Sequence, residues 1–136
     1  MNFAKHWAAT LDDYAIDLAW SPDGALLAAA SAAGGITLYD AATGTLKHAL
    51  AGHENGANAL AWGSSGLLAA GGQDGCVRIW QTNFGQQTAE VKLGNAWVEH
   101  LAWSPLHSSA PLFAAAGRKL LAISPDGVPA HTFPDA

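Results

Sequence analysis

His53 and Asp74 are two residues of this sequence whose types could support acid–base chemistry. An imidazole held by a carboxylate is how many enzymes orient a general base. Asp74, however, stands in the glycine-rich segment Gly71 to Gly75, which is typical of a tight turn between strands. We therefore interpret the pair as structural. Ser104 and His107 lack the Gly-x-Ser-x-Gly context of an acyl-transfer nucleophile, so the sequence predicts that the chain is not an enzyme.

The sequence also lacks the usual patterns for metal, phosphate and thiol chemistry. The six histidines do not pair with a second ligand at the i, i+2 or i, i+4 spacing of metal sites. Segment 71–75 is rich in glycine, but it has neither the Lys-Ser or Lys-Thr step nor the helix that binds a phosphate. Cys76 is the single cysteine and is expected to be a buried, inert thiol. We therefore predict no catalytic residue, no metal site and no cofactor.

Composition and charge restrict the class of protein. The chain has 136 residues, of which half are hydrophobic and 12% are charged, a balance typical of one globular domain. The net charge is −5 and the six basic residues are scattered, which disfavours nucleic acid as a partner. No apolar run approaches the roughly 18 residues of a membrane span, and the N-terminal residues lack a signal-peptide pattern. With one cysteine, the chain is expected to be cytoplasmic, with no membrane partner.

A repeat of about 41 residues organises the chain. The tripeptide Leu-Ala-Trp occurs three times and ends at Trp20, Trp62 and Trp103, at separations of 42 and 41 residues. A second marker agrees, because Tyr39 and Trp80 end equivalent segments 41 residues apart. Missing such a period would misassign the whole fold. The predicted units are a leading segment, 1–13, and three copies, 14–54, 55–95 and 96–136.

Each copy contains four short apolar segments separated by turn residues. The Ala-rich segments end at Gly or Pro after five to seven residues, which is too short for helices. Four short strands in roughly 41 residues are typical of one blade of a β-propeller. Residues 7–11 occupy the place of a fourth strand, so they are predicted to be the leading strand of another, incomplete blade. The predicted fourth strands of the three copies are 46–50, 88–93 and 129–133.

The second copy resembles the WD40-repeat family, and the resemblance extends over nearly the whole chain. Gly52-His53 precedes its first strand, Asp74-Gly75 precedes its third, and Val77-Arg78-Ile79-Trp80 ends that strand. In the family, a His, an Asp and a Trp at these places are hydrogen-bonded with a Ser or Thr of the second strand. The resemblance therefore implies a structural blade network of His53, Asp74 and Trp80. Segment 68–72 has no Ser or Thr, so the network is expected to be incomplete.

Three copies do not close a propeller, which in the WD40 family usually has seven blades. The expected fold is all-β, with about three blades of four antiparallel strands plus one leading strand. It is a partial propeller unless oligomerisation or further chain completes it, because open ends leave apolar blade faces exposed. Three explanations stay open: a fragment of a longer protein, self-association into a ring of about six blades, or completion by another chain. Self-association through the exposed faces is favoured.

The resemblance also implies where a protein partner would bind. Family members usually dock partners on the face where the loop before the first strand emerges. Tyr and Trp make good anchors there, because they bury a large area at small entropic cost. The alternative for Tyr14 and Trp97 is that they fill the interfaces between blades. The candidate positions are Tyr14, Ile16, Asn58, Gln73, Trp97 and Glu99.

The sequence thus predicts a non-catalytic scaffold for protein–protein interaction, whose partner it does not identify. Two alternatives stay open. Several chains could assemble a site along the channel of a ring, and that site could bind a metal or a small molecule or act as an enzyme. The chain could otherwise be a purely structural, self-assembling blade module or a fragment of a longer propeller.

Overall fold

The computed structural model describes residues 6–104 and 111–133. All the regular secondary structure in these ranges is β-strand. The strands have five to seven residues each, because turn residues interrupt the apolar segments at short intervals. The described ranges contain no helix long and apolar enough to cross a membrane. The strands are β1 (Ala15–Trp20), β2 (Leu26–Ser31), β3 (Ile36–Asp40), β4 (Leu46–Leu50), β5 (Ala57–Trp62), β6 (Leu67–Gly72), β7 (Cys76–Gln81), β8 (Gln86–Lys92), β9 (Val98–Trp103), β10 (Leu112–Ala116), β11 (Lys119–Ile123) and β12 (Pro129–Phe133).

The strands form three antiparallel sheets of four strands, one for each copy of the repeat. Consecutive strands are neighbours in every sheet, so we name the sheets blade 1 (β1 to β4), blade 2 (β5 to β8) and blade 3 (β9 to β12). This up-and-down order is that of a propeller blade. The predicted all-β fold with three four-stranded blades is therefore confirmed.

The second strand of blade 2 packs against both neighbouring blades, because successive side chains of a strand point to opposite faces. Leu68 and Ala70 of β6 pack in the cluster shared with blade 1, whereas Ala69 packs in the cluster shared with blade 3. Burial on both faces explains why the strand is apolar throughout, and its alanines let the blades approach closely. The cluster between blades 1 and 2 contains Ala28, Ala30, Ile36, Leu38, Leu50, Ala57, Leu60, Leu68, Ala70 and Trp80. The cluster between blades 2 and 3 contains Ala69, Val77, Ile79, Val91, Val98, Leu112, Ala114, Ala116 and Ile123.

The repeated Leu-Ala-Trp tripeptide joins successive blades. The indole Nε1 of Trp62 donates to the carbonyl oxygen of Ala19 at 2.9 Å. Trp103 donates in the same way to Ala61, also at 2.9 Å. Each of these tryptophans therefore binds the alanine of the preceding copy, which gives a partly buried indole N–H its acceptor. The recurrence of the tripeptide along the chain thus reflects a contact between blades.

Two glycines make room for the loop that leads to the next blade. Gly34 and Gly75 lie in the turns between second and third strands, with φ of +106° and +75°, where a side chain would be strained. A Cβ at Gly34 would overlap the carbonyl oxygen of His53, and a Cβ at Gly75 would overlap that of Gly94. The loop before each following blade therefore packs directly on these turns.

The predicted leading strand, residues 7–11, is not observed. Residues 6–14 contain no strand. Trp7 instead donates its indole N–H to the carbonyl oxygen of Ala41 at 2.9 Å. Its ring centroid lies 5.8 Å from that of Tyr39. The segment is thus attached to blade 1 by one aromatic side chain rather than by a ladder of backbone hydrogen bonds.

The place of Trp7 nevertheless follows the repeat. A Cβ at Gly44 would meet the Trp7 ring, just as a Cβ at Gly85 would meet the ring of His48 in β4. Trp7 therefore lies against blade 1 where an outer strand of a preceding blade would lie. The described residues supply no third strand of that blade, so the segment has no strand to pair with and does not form one.

Candidate functional site

Three of the six candidate positions lie at β-bulges in the first strand of a blade. The pairing of β1 with β2 skips Ile16, that of β5 with β6 skips Asn58, and that of β9 with β10 skips Glu99. A bulge turns a side chain out of the regular alternation, and bulges are common beside binding sites. The blades therefore present an aliphatic group, an amide and a carboxylate at equivalent places. Ile16 is 47% exposed.

Tyr14 and Trp97 stand immediately before the first strands of blades 1 and 3. Their side chains are 82% and 50% exposed, so neither fills an interface between the described blades. Blade 2 has Gly56 at this place, where a Cβ would meet the carbonyl oxygen of Ala32 and the side chain of Gln73. Gln73 therefore covers the middle blade, while the aromatic rings on either side of it reach solvent.

Charged side chains of both signs surround these positions. Asp13, Glu54 and Glu99 are exposed at this end of the blades, and so are Lys92, Arg118 and Lys119. Asn58 is half-buried, and its amide nitrogen Nδ2 has no hydrogen-bond partner among the described residues. Because this nitrogen is buried, an oxygen atom of a bound molecule reaches it only if the neighbouring groups move. The face therefore combines aromatic anchors with charges of both signs, above a buried amide.

A polar network lies at the same end of blade 2. His53 Nδ1 lies 2.9 Å from Asp74 Oδ1, which also accepts from the backbone N–H of Cys76 at 3.1 Å. Arg78 Nη1 donates to Asp74 Oδ2 at 3.0 Å, and Arg78 Nη2 donates to Glu90 at 2.7 Å. These contacts join the loop before β5, the turn before β7 and the two outer strands. The network therefore fixes the end of blade 2 from which the candidate face is built.

Asp74 is ionised in this network. Burial raises the pKa of its carboxyl group, but hydrogen bonds from His53, the Cys76 amide and Arg78 outweigh burial and hold the pKa at about 2. Burial lowers the pKa of His53, and the hydrogen bond to Asp74 opposes this effect only in part. His53 is therefore a neutral imidazole near pH 7, and its Nδ1 lies 2.9 Å from both Asp74 Oδ1 and Arg78 Nη1.

The position of His53 does not allow it to reach a substrate. Its side chain is 0% exposed, and Nε2 is buried with no hydrogen-bond partner in the described part of the chain. A general base needs a nitrogen within hydrogen-bond reach of the proton it removes. Burial and the Asp74 carboxylate also raise the pKa of the Cys76 thiol, which disfavours the reactive thiolate. Residues 6–104 and 111–133 hold no group of three His, Cys, Asp or Glu side chains suited to a metal ion.

Trp80 stands outside the polar network that the resemblance implied. Its side chain is 1% exposed and lies in the apolar cluster between blades 1 and 2. Within the described ranges no hydrogen bond joins its indole to His53 or Asp74, because β6 has no Ser or Thr hydroxyl to connect them. Arg78 completes the network instead. Sequence reasoning missed Arg78, although its spacing of four residues from Asp74 was visible, because its second partner depends on the pairing of β7 with β8.

Blade 1 has a different polar pair at the corresponding place. Ser31 Oγ donates to Asp12 Oδ1 at 2.6 Å. Ser31 and Gly72 both pair with the first residue of the adjoining first strand, so they are equivalent positions. A Cβ at Gly72 would overlap the ring of His53. Blade 2 therefore lacks the serine because the imidazole occupies its space.

Comparison with known proteins finds similarity to WD-repeat proteins. Residues 1–65 match the family model described as the anaphase-promoting complex subunit 4 WD40 domain. Ribosome biogenesis protein ERB1 of Chaetomium thermophilum is 38% identical over 76 residues, which cover 54% of this chain and 10% of ERB1. WD repeat-containing protein 1 of Gallus gallus is 38% identical over 92 residues, which cover 57% of this chain and 15% of that protein. The chain thus spans only 10% to 15% of the length of these relatives.

A solved structure shares the fold. The crystal structure of the β-propeller domain of Cps50 (Swd1) from Myceliophteria thermophila has a TM-score of 0.81 to this chain at 19% identity. The match covers 93% of this chain and 41% of that domain. At this level of identity the similarity shows the fold alone, and it agrees with the arrangement of the three sheets as propeller blades.

Proposed function

We propose that this chain, which is similar to WD40-repeat β-propeller proteins, is a scaffold for protein–protein interaction and catalyses no reaction. Its binding surface is the candidate face at the start of the first strands. The repeated bulge carries this proposal, because it places Ile16, Asn58 and Glu99 at equivalent positions in three successive blades. The matching family model supports it further, since that model is named for a domain of a complex subunit.

The chemistry of the face favours a partner segment that carries both apolar and basic side chains. Tyr14 and Trp97 expose large rings, and such side chains often dominate the energy of an interface. Asp13 and Glu99 are within two residues of these rings in the chain and place negative charge beside them, which attracts and orients a positively charged segment. The binding of such a segment should therefore weaken as salt is added.

The test measures the affinity of a partner that has first been recovered on the immobilised chain and identified. Trp97→Ala and Tyr14→Ala are each expected to raise the dissociation constant by about 10-fold or more, because each removes an aromatic anchor. Phe84→Ala is the control, since Phe84 is 76% exposed but lies in the turn at the opposite end of blade 2. Unchanged affinity in both aromatic variants would exclude the proposed face.

A second candidate is a ligand site along the channel of an assembled propeller, for a metal, a small molecule or a substrate. Asn58 favours it, because a buried amide donor without a partner among the described residues is costly unless a ligand satisfies it. Melting temperatures measured with divalent metals and common metabolites test this candidate. A ligand that raises the melting temperature of the wild type but not of Asn58→Leu would support it, and no shift with any ligand would count against it.

We further propose that the chain acts in the cytoplasm and that nucleic acid is not its partner. Support comes from the single cysteine, which cannot form an intramolecular disulfide, and from the scattered basic residues. Binding to DNA or RNA would be recognised by a strong dependence on salt concentration. Salt-sensitive binding of either nucleic acid at physiological ionic strength would contradict this proposal.

A further inference from the structure

The interface between blades 1 and 2 and the interface between blades 2 and 3 use the same contacts. The outer face of blade 1 and the outer face of blade 3 each carry one side of such an interface without its partner. In each interface the tryptophan of the later blade donates to an alanine carbonyl of the earlier blade, as Trp62 does to Ala19. The same positions recur as Trp20 in blade 1 and Ala102 in blade 3. Blade 1 thus has the donor side of a further interface, and blade 3 has the acceptor side.

Blade 1 exposes apolar side chains that the following blades bury. Leu18 is 58% exposed, whereas Leu60 at the equivalent place in blade 2 is 8% exposed. Trp20 is 60% exposed, whereas Trp62 is partly buried against the cluster between blades 1 and 2. Two large apolar side chains on β1 therefore lack the cover that a preceding blade would give them.

Blade 3 exposes the complementary half. Leu120 is 51% exposed, whereas Ile36 and Val77, at the equivalent places in β3 and β7, are 1% and 0% exposed. Ile36 and Val77 both lie in the clusters that their blades share with the following blade. Leu120 therefore marks the face of blade 3 on which a following blade would pack.

We propose that a second copy of this chain docks its blade 3 onto blade 1, head to tail, with the geometry of the internal interfaces. Trp20 Nε1 then donates to the carbonyl oxygen of Ala102 in the second copy. Leu120 of the second copy packs beside Leu18, in the place that Ile36 and Val77 take inside the chain. The interface is heterologous, so each copy uses its two ends independently. This proposal does not depend on the partner-binding face.

A second copy fits these ends because Leu18 and Trp20 face a surface related to the one formed by Ala28, Ile36 and Leu38, which blade 1 offers to blade 2. One position differs, because Phe113 pairs with Ala102 where blades 1 and 2 have Ala28 and Ala69. The interface between copies must therefore accommodate one larger side chain than the internal interfaces. Two copies joined in this way bring six blades together, and the remaining free ends can close the ring or add further copies.

The leading segment lies on the outer part of the docking face. Trp7 packs on Tyr39, which is 7% exposed and takes the place that Trp80 has in blade 2. Trp7 also lies against Gly44, where the outer strand of a docked blade would come. Docking of a complete blade must therefore displace Trp7, so the leading segment competes with the second copy.

The test determines the mass in solution of the full chain and of two variants by sedimentation equilibrium. Leu18→Glu removes only the blade 1 half of the interface, and Leu120→Glu removes only the blade 3 half. Both side chains are more than half exposed in the single chain, so neither change should unfold it, which circular dichroism checks. Phe84→Glu is the matched control, because Phe84 is 76% exposed but lies in the β7–β8 turn of blade 2, away from both end faces.

We expect the wild type and Phe84→Glu to associate and each of the two interface variants alone to remain monomeric. Loss of a central apolar contact should raise the dissociation constant by about 30-fold or more. An equimolar mixture of the two variants should form a one-to-one complex, because one chain keeps an intact blade 1 and the other an intact blade 3. Trp7→Ala should associate several-fold more tightly than the wild type.

Three results would overturn the proposal. If the wild-type chain is still monomeric at about 100 μM, the two faces are covered by further blades or by another protein and not by a second copy. Association of Leu120→Glu by itself would mean that the copies dock blade 1 to blade 1. Failure of the variant mixture to form a complex would exclude the head-to-tail arrangement, and weaker association of Trp7→Ala would exclude the competition by the leading segment.

Discussion

Blades 1 and 2 have the same four-stranded order but different polar contacts between loop and strand. Blade 1 joins Asp12 to Ser31 by one hydrogen bond. Blade 2 joins His53 to Asp74 and continues through Arg78 to the outer strand. Since both blades keep the same strand order and pairing, the strands and turns determine the blade. The polar contacts contribute different amounts to the stability of each blade.

The contrast extends to the third strands of the two blades. Arg78 of blade 2 stands where blade 1 has Thr37, whose hydroxyl oxygen is buried with no partner among the described residues. Asp74 stands where blade 1 has Ala33. Pairs of charged side chains therefore stabilise this end of blade 2, whereas a hydrogen bond from Ser31 to Asp12 stabilises this end of blade 1. Substitutions that exchange these features between the blades test what each arrangement contributes.

Asp74→Ala should have the largest effect, because it gives blade 2 the residue type of Ala33 in blade 1. It leaves His53 and Arg78 partly buried without their shared acceptor, and should lower the free energy of unfolding by about 2–3 kcal/mol. Denaturant titration measures this loss. Asp12→Ala is the control in blade 1 and should cost about 1 kcal/mol, the value of one hydrogen bond. Equal losses in the two variants would contradict the contrast between the blades.

Gly72→Ser gives blade 2 the serine of blade 1 and should have the next largest effect. The new Cβ overlaps the His53 ring, so overpacking should lower the free energy of unfolding by about 1–3 kcal/mol. Adding His53→Ala removes the ring and leaves room for the serine. The double variant should therefore lose less stability than the sum of the two single losses. Simple additivity would show that the ring and the serine do not compete for the same space.

Between about pH 7.5 and about pH 4.5, above the range of the carboxyl groups, the pH dependence of stability should come from His53 of blade 2. Because the pKa of His53 is lowered from 6.5 on folding, the unfolded chain takes up the proton first, and stability is fully present above pH 6.5 and falls below it. Asp74 has its pKa lowered from 3.8 to about 2, so its contribution is lost only between those values. Unfolding free energies measured between about pH 7.5 and about pH 4.5 should decline less in His53→Gln than in the wild type. Identical declines would exclude His53 as the titrating group.

Thr37→Val should have the smallest effect, and it should be favourable. The change removes a buried hydroxyl that has no partner among the described residues and keeps the shape of the side chain, so stability should rise by about 0.5–1 kcal/mol. Thr88→Val is the matched control in blade 2, because the Thr88 hydroxyl donates to the carbonyl oxygen of Ile79 at 3.2 Å. That variant should lose stability. Thermal unfolding of both variants checks the opposite signs.

The sequence predicts the strands and turns well because their signals are local. The outer strands Leu46–Leu50 and Pro129–Phe133 have the bounds that the turn residues indicate. The outer strand of blade 2 runs from Gln86 to Lys92 instead of 88–93, because pairing with β7 extends it toward the turn. Polar residues such as Gln86 join a strand when a neighbouring ladder supplies their backbone partners, which no pattern of hydrophobicity reveals.

Apart from the contact of His53 with Asp74, which the resemblance implied, the polar contacts could not be predicted, because they depend on register and on space. Arg78 meets Glu90 only because β7 and β8 pair these two residues. The missing serine of β6 is visible in the sequence, but its cause, the ring of His53 against Gly72, is not. The absence of a strand in the leading segment also could not be predicted from the sequence. Its apolar pattern matches a strand, yet a strand needs a neighbour to pair with.

A hydrogen bond from a tryptophan indole N–H to an alanine carbonyl oxygen joins each of blades 2 and 3 to the preceding blade. The most direct test of this bond is the rate at which the indole protons exchange with solvent, measured by NMR with Trp→Phe variants to assign the signals. Trp62 and Trp103 should exchange slowly because their N–H groups are bonded to the preceding blade, and Trp97 should exchange fast. Trp20 should be slow in the assembled wild type and fast in Leu120→Glu. Fast exchange of Trp62 and Trp103 in the folded chain would contradict the account.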